Sequence, residues 1–421
     1  MNRRLAKAVV AAFRDENPET LHERFAPFGE REWLRSREWL HTSGLALYFL
    51  ARARALGIED VMPTVILSGL DKNLAENCVR TEDLFNEFVK INMEFQRAKL
   101  SYANLKGFAL APLSCPDPTY RYQHDLDFLV SRSDAERCFQ ALERLGYRLD
   151  RIYGDTWEFK AGSAEVSSLR DLYKTRLNRS VDVRFLPEKE EDECLREDSM
   201  LSRLQLQVWN GFEFPALSEC DKFLGQALHL FKHFNTAWTR TAWMLEYATA
   251  IRAHRDDEAL WREIISGIET TPEKKVGVGI ASLIVSRAFG VTLPTQLRST
   301  VDELPERVGL WVERYRDDVV FQEHPGSKLY LLLQDVLLQE RSGQSGRGRR
   351  RLFPSHLPPR ISAARRSDGL RLRTQVLWAQ TKFIVKRLRF HVAEGLRYKI
   401  EAARWKKFVA GLSSRTGYRV Q

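Results

Sequence analysis

Apolar residues in the first hundred positions recur at intervals of three and four, as in Trp33, Leu34, Trp39, Leu40, Leu45, Leu47, Tyr48 and Leu50. Strand-like alternation is absent, so this stretch predicts helices. A second helical run covers about 73–100. Near Ser101 the pattern changes to short apolar runs bounded by Gly, Pro and Asp: LKGFAL, DLDFLV, YRLDRIY, WEFKA and SVDVRF. These predict strands alternating with a helix, ending near Pro187. In the middle of this stretch a strand at 126–130 precedes Ser131 and Ser133, both good N-caps, and then Ala135, Cys138, Phe139, Leu142 and Leu145 at helical spacing. Gly146 stands where that helix should close, and a strand follows from Tyr147.

Helical spacing returns from about Leu217, first in FLGQALHLFKHFNTAWTRTAWMLEYATAIRAH and then over 258–268, 274–289 and 307–339. SGQSGRGRRR followed by FPSHLPPR has the composition of a flexible basic linker ending in an extended segment, and 370–408 continues as a long basic helical pattern. No repeat of 20–50 residues is present. The expected fold class is α+β, with a small mixed sheet embedded between mainly helical regions. The expected organisation is a helical region at 1–100, an α/β core at 101–190, a helical domain at 191–340, and a basic linker with a C-terminal amphipathic helix at 341–421.

The chain has 421 residues, 43% apolar and 29% charged, which excludes disordered and fibrous classes. No apolar window approaches the roughly 18 residues of a membrane span, since 276–285 is short and flanked by Lys274, Lys275 and Arg287. The basic N-terminus loses its apolar run at Arg14 with no small-residue cleavage site, so a secretory signal is not expected and the expected compartment is the cytoplasm, with a peripheral position at the inner membrane face as a variant. Cys78, Cys115, Cys138, Cys194 and Cys220 are odd in number and lie at least 23 residues apart, matching neither a disulfide scaffold nor a paired-thiol zinc site. They are expected to be free thiols, mostly buried.

Charge is uneven. From Arg341 onward there are 21 Lys and Arg against three acids, a net of +18, whereas the other 340 residues carry 45 bases and 53 acids, a net of −8. The formal +10 of the whole chain therefore describes its last fifth.

Alternation in HDLDFLV sends Asp125 and Asp127 to one face of a strand and Leu126, Phe128 and Val130 to the other. Adjacent carboxylates repel unless a cation lies between them, and a hard divalent ion with oxygen ligands fills that role. SVDVRF repeats the context, with Val181 and Val183 inward and Asp182 outward. Three carboxylates on neighbouring strands can hold two ions about 3.5–4 Å apart, an arrangement suited to phosphoryl transfer. Upstream, Lys106 and Gly107 close a run and Arg121 lies four residues before Asp125. A glycine there lets backbone approach a phosphate, and Lys or Arg neutralises triphosphate charge. Asp-x-Asp alone is common as a solvated turn, and Asp182 alone could be the polar face of a half-buried strand.

LKGFALAPLSCPDPTYRYQHDLDFLV, with Gly146-Tyr147 and the later VDVRF, resembles the uncharacterised nucleotidyltransferase family of the DNA-polymerase-beta-like superfamily. Members show a Lys-Gly pair, an Arg shortly before an Asp-x-Asp strand, a helix closed by Gly-Tyr, and a later Val-Asp-Leu-His-Trp-like strand. They also carry a helical region with paired histidines, similar to HLFKHFNTAWTRTAWMLEYATAI here. The likeness covers roughly 101–254. It implies that Asp125 and Asp127 are the metal-binding pair, that Asp182 is the third carboxylate, and that Gly107 belongs to the nucleotide-binding turn; Lys106 and Arg121 are read beside it, from their own positions, as the nucleotide-binding cations. It also implies Mg²⁺, with Mn²⁺ as a substitute, and an NTP such as ATP as substrate, the acceptor being unknown. Two positions depart from the pattern. Lys106-Gly107-Phe108 stands where relatives commonly have Gly-Ser, and Arg184 stands where they have His after the third acid.

His229 and His233 have ligand spacing on one helix, but Leu230 occupies the position where a metalloprotease helix needs Glu, so a structural role is expected. His124 could orient a carboxylate or simply precede a strand. Trp238 and Trp243 fit core spacing better than a base-stacking platform. Arg240 is expected on a solvated helix face, with a phosphate contact as the functional alternative. The basic residues within 347–407 suit nucleic acid, an anionic membrane surface, or docking onto the acidic remainder of the chain. The leading function is a Mg²⁺-dependent nucleotidyltransferase. The alternatives are a non-catalytic nucleic-acid-binding or interaction protein on the same scaffold and a peripheral membrane enzyme of surface-polysaccharide assembly.

Overall fold

The structure is a computed structural model, describing residues 1–14, 17–162, 171–175, 178–185, 198–342 and 369–416. Cys194, the segment around Pro187 and the arginine-rich stretch 347–366 lie outside the described residues. Helices α1 (Arg3–Ala11), α2 (Pro18–Phe25), α3 (Glu30–Thr42), α4 (Ala46–Leu56) and α5 (Thr64–Arg97) open the chain. Asn2 and Asn17 cap the first two by accepting backbone N–H bonds, which supplies partners that the first helical turn lacks.

Strands β1 (Tyr102–Asn104) and β2 (Asp125–Val130), helix α6 (Ala135–Arg144), then β3 (Arg148–Tyr153), β4 (Thr156–Gly162) and β5 (Asn178–Phe185) follow. After the short helix α7 (Asp198–Ser202) come β6 (Gln205–Trp209) and β7 (Phe212–Ala216). The seven strands form one mixed sheet in the order β3-β4-β5-β2-β1-β7-β6. β2 runs parallel to β5 and β1 parallel to β7, while the remaining pairs are antiparallel. The chain is thus α+β.

Two elements differ from the sequence expectation. The sheet does not stop near Pro187, because the β6–β7 hairpin, turning at Asn210 and Gly211 with positive φ, adds two strands beyond it. LKGFAL is not a strand: β1 ends at Asn104, and Gly107, at φ +64°, turns the chain into a 3₁₀ segment at Gly107–Leu110.

Helices α8 (Glu219–Phe234), α9 (Thr241–Ala253), α10 (Glu258–Glu269), α11 (Pro272–Phe289), α12 (Thr295–Asp302), α13 (Glu306–Val320), α14 (Tyr330–Ser342) and α15 (Leu370–Thr416) complete the fold. The helical pattern at 307–339 is split between α13 and α14, with Pro325 and Gly326 (φ +102°) in the break.

One face of the sheet buries Leu126, Phe128, Val130, Phe159, Val181, Val183 and Phe185 beneath Phe88, Ile91 and Phe95 of α5 and Cys138 and Leu142 of α6. A larger core joins Trp33, Trp39 and Phe49 of the N-terminal helices to Tyr247, Trp261, Phe289 and Trp311 of the later ones. Regions that the sequence separates at 1–100 and 191–340 therefore share one hydrophobic interior. α5 ties the two cores together, with Ile66 and Leu70 in the second and Phe85 to Phe95 in the first. Among the described residues, no helix is long and apolar enough to cross a membrane.

Candidate active site

The face of the sheet opposite that core carries the acids. Parallel pairing places Asp127 beside Asp182, with Asp125 beside Ser180, and antiparallel pairing places Glu158 of β4 on the other side of Asp182. Carboxylates of three adjacent strands thus line up in one row. One carboxylate oxygen from each of Asp125, Asp127 and Asp182 lies within 4.8 Å of the other two, and all three residues are half-buried. Further along the same face Leu129 and Ala103 are closed under Leu217, so the acids sit at one end of an otherwise covered surface.

Hydrogen bonds around the N-terminal end of β2 fix this geometry. The Leu105 N–H donates to the Asp127 carbonyl at 3.1 Å, which brings Lys106 alongside, and its Nζ donates to Asp127 Oδ1 at 2.9 Å. Gly107 lies against the side chain of Gln123, whose Nε2 donates to the Asp125 carbonyl at 2.8 Å. A Cβ on Gly107 would come within 2.8 Å of Gln123 Cδ. The glycine therefore answers a backbone need, a left-handed turn beneath a side chain that anchors the strand.

Burial, reinforced by Asp127, raises the Asp125 pKa, against Lys106, Arg121 and Arg240, which lower it. Burial also raises Asp182, and with the charges of Asp125, Asp127 and Glu158 brings its pKa to about 7. Lys106 is pulled down by burial but held above its ordinary value overall by Asp127 and then Asp125. The carboxylates are under-neutralised by side chains alone. Three clustered hard oxygen donors short of positive charge fit a divalent cation of the Mg²⁺ or Mn²⁺ kind.

Arg121 does not reach into this space as a free cation. It is buried, and its Nε donates to Glu246 Oε1 at 2.9 Å, an oxygen that also accepts from the Tyr48 hydroxyl at 3.0 Å. Burial works against the Arg121 charge, yet Glu246 holds the pKa above its usual range. Arg121 therefore acts on Asp125 through space, and a direct phosphate contact is replaced by an internal ion pair.

Arg240 departs from its expectation in the opposite sense. It precedes α9 rather than lying on a solvated helix face, with its guanidinium carbon 5.3 Å from the Tyr122 ring centre, 5.6 Å from Trp238 and 5.4 Å from Trp243. Burial pulls its pKa down, and Tyr122 and Asp125 act to raise it.

His229 and His233 pack edge-on or tilted against each other and Trp243, their ring centres 4.5 Å apart and each within 4.7 Å of the indole. Burial, followed by Lys106, brings His229 to about 2, and burial brings His233 to about 4, so both are neutral. His233 Nδ1 lies 3.3 Å from the Trp238 carbonyl. His124 contacts the Tyr122 hydroxyl.

A family model described as an uncharacterised nucleotidyltransferase matches residues 29–272. The chain belongs to this nucleotidyltransferase family. The match reaches well beyond the segment that carries the motifs, taking in α3 to α5 on one side and α8 to α10 on the other. Among solved structures the chain is similar to an antigenic nucleotidyltransferase-like protein from Paracoccidioides brasiliensis, at 11% identity and a TM-score of 0.31, covering 51% of this chain and 94% of that one. A likeness of that size carries no argument about this site. No curated protein matches.

Two residues around the candidate site escape a motif reading, and a third, Arg240, is placed differently from its sequence expectation. Glu158 sits in WEFKA and reaches the row only through the β4–β5 register. Glu246 lies 125 residues from the arginine it holds. Arg240 is placed by an aromatic cage whose members come from two distant parts of the chain. The strand alternation around Glu158 was the one local signal available.

Proposed function

We propose that this protein is a Mg²⁺-dependent nucleotidyltransferase that moves a nucleoside monophosphate from an NTP, ATP among the candidates, to an acceptor hydroxyl or similar nucleophile. The observation that carries the reading is the convergence of Asp125, Asp127 and Asp182 within 4.8 Å at the open end of an otherwise covered sheet face. Asp125, Asp127 and Asp182 would hold the metal, with Mn²⁺ able to replace Mg²⁺. When bound, the ion supplies charge neutralisation and Lewis-acid polarisation at the triphosphate.

The chain's own groups account for the rest. Lys106 is positioned by Asp127 to offset negative charge on the leaving pyrophosphate, and Gly107 keeps that lysine's backbone at the mouth of the site. Arg121 and Arg240 bias the local potential towards anions without leaving their partners. Asp182, on the strand beside Asp127, would take the acceptor's proton as the acceptor oxygen bonds to the α-phosphorus and the bond to pyrophosphate breaks. Neutral His229 and His233 pack against Trp243 and add no charge.

The test uses α-labelled and γ-labelled NTPs with Mg²⁺ and fractionated cell extract as acceptor source. Transfer of α-label with release of pyrophosphate, lost in Asp125→Asn and Asp127→Asn, is expected. Transfer of the γ-label instead, or undiminished α-transfer by both variants, would overturn the reading.

A further inference from the structure

Helix α15 presents two faces of different kinds. One packs on the protein: Trp405 is buried beside Tyr315, the Tyr398 hydroxyl donates to Asp335 at 2.9 Å, Arg397 pairs with Asp318 at 2.9 Å, and the Lys328 ammonium donates to the His391 carbonyl at 3.1 Å. The opposite face is solvent-exposed and apolar. Leu377 is 68% exposed, Leu388 61% and Leu396 60%, with Val385, Val392 and Ile400 also exposed. At 100° per residue these side chains fall within an arc of about 140° directed away from the body.

The charge distribution selects what can cover this stripe. α15 contains two acids, Glu394 and Glu401, and both turn inward. Glu394 accepts the Lys328 N–H at 3.0 Å, and Glu401 accepts from Arg404 at 2.7 Å and from the Tyr315 hydroxyl at 3.4 Å. The exposed side therefore carries no carboxylate, while Lys382, Lys386, Arg389 and Lys399 stand exposed along it. Trp378 is 61% exposed, with the Lys382 ammonium 4.9 Å from its ring centre, an amphipathic pair suited to a headgroup layer. A second copy of this helix would bring like charges together, and a phosphate backbone alone would leave the aliphatic stripe in water. A surface offering both an apolar layer and negative charge satisfies both features.

We propose that α15 is a docking helix for an anionic lipid surface, lying in the interface plane with Leu377, Val385, Leu388, Val392, Leu396 and Ile400 inserted among the acyl chains and its basic residues at the headgroups. The docked inner face holds the folded body against the bilayer. This assignment stands on α15 alone and is independent of the chemistry at the carboxylates.

The test is vesicle flotation of the full-length protein. Vesicles of equal parts phosphatidylglycerol and phosphatidylcholine are compared with phosphatidylcholine alone, for the wild type, for a Leu388→Gln/Val392→Gln/Leu396→Gln variant, and for a Lys382→Gln/Lys386→Gln/Arg389→Gln variant. None of the six altered positions makes a docked contact, and circular dichroism checks that helix content is kept. Flotation with the anionic vesicles only, lowered about tenfold or more in each variant, is expected, together with a blue-shifted emission that Trp378→Phe diminishes. Flotation unchanged in the apolar variant would overturn the proposal. So would duplex nucleic-acid binding that needs the basic but not the apolar residues in a protein that does not float, or a concentration-dependent dimer that the apolar variant abolishes.

Discussion

Replacing Asp182 by Asn removes one carboxylate from the row and keeps its shape, so the consequence for stability follows from the electrostatics of the metal-free site. Burial and then the charges of Asp125 and Asp127 move the Asp182 pKa from 3.8 to about 7 in the folded protein. A rise of that size corresponds to at most about 4 kcal/mol of disfavour for the ionised form. The side chain is only half-buried, and screening by solvent reduces this to about 1–2 kcal/mol. An acid whose folded pKa is raised binds its proton more tightly in the native state than in the unfolded one, so stability falls as pH rises from about 4 through about 7. The Asn variant has no such loss.

It should therefore be more stable than wild type at pH 8 without divalent cations. Unfolding entropy for a chain of this size is roughly 0.9 kcal/mol/K, which converts the gain to a Tm rise of about 1–2 °C. At pH 5 the advantage should shrink to about a third, because most of the pH window then lies above. Scanning calorimetry in EDTA at the two pH values measures both quantities, and activity in Mg²⁺ should fall by at least a hundredfold in the same variant. A variant less stable than wild type at pH 8, or an advantage equal at both pH values, would refute the reasoning.

Gly107→Ala should cost about 1–3 kcal/mol and lower Lys106-dependent nucleotide affinity, because the left-handed backbone is strained and the new Cβ displaces Gln123; urea unfolding reads it. Glu246→Gln leaves Arg121 buried with no carboxylate and should cost about 3–4 kcal/mol, with Arg121→Met on the Gln background recovering part of the loss. His229 and His233, with pKa values lowered to about 2 and about 4, should show no titration between pH 5 and 8 by NMR, and they withdraw stability as pH falls below the unfolded histidine value of about 6.5, the opposite direction to Asp182. A histidine signal titrating near 6.5 at either position would contradict their burial.

The acids of the site were legible because alternation in a strand is a local property: Leu126, Phe128 and Val130 announce which face is core, and Asp125 and Asp127 are what remains. The same reasoning placed Asp182, and pairing with β5 then set it beside Asp127. The family, the α+β class and the α6 unit followed from the same short-range signals. What sequence could not reveal depends on partners far along the chain. Arg121 reads as a free phosphate ligand until Glu246 is brought to it by helix packing, and Arg240 reads as solvated until Tyr122 and Trp243 surround it. The β6–β7 hairpin does carry a local signal, Asn210-Gly211 between the alternating Leu206, Val208 and Phe212, Phe214, and it is passed over because the apolar runs that mark the sheet are expected to end near Pro187. The shared core of early and late helices was invisible because helical periodicity tells which face is buried and not against what.

The central claim is that Asp125, Asp127 and Asp182 form a metal–nucleotide site, and it is tested most directly without knowing the acceptor. Thermal unfolding of wild type and of Asp125→Asn/Asp127→Asn is followed with each of the four NTPs, with and without Mg²⁺. A ligand at about one hundred times its dissociation constant stabilises the native state by roughly 2.7 kcal/mol, or about 3 °C here. The account predicts such a shift for at least one NTP, dependent on Mg²⁺ and absent from the double variant. No shift with any NTP, or an equal shift in the variant, would contradict it.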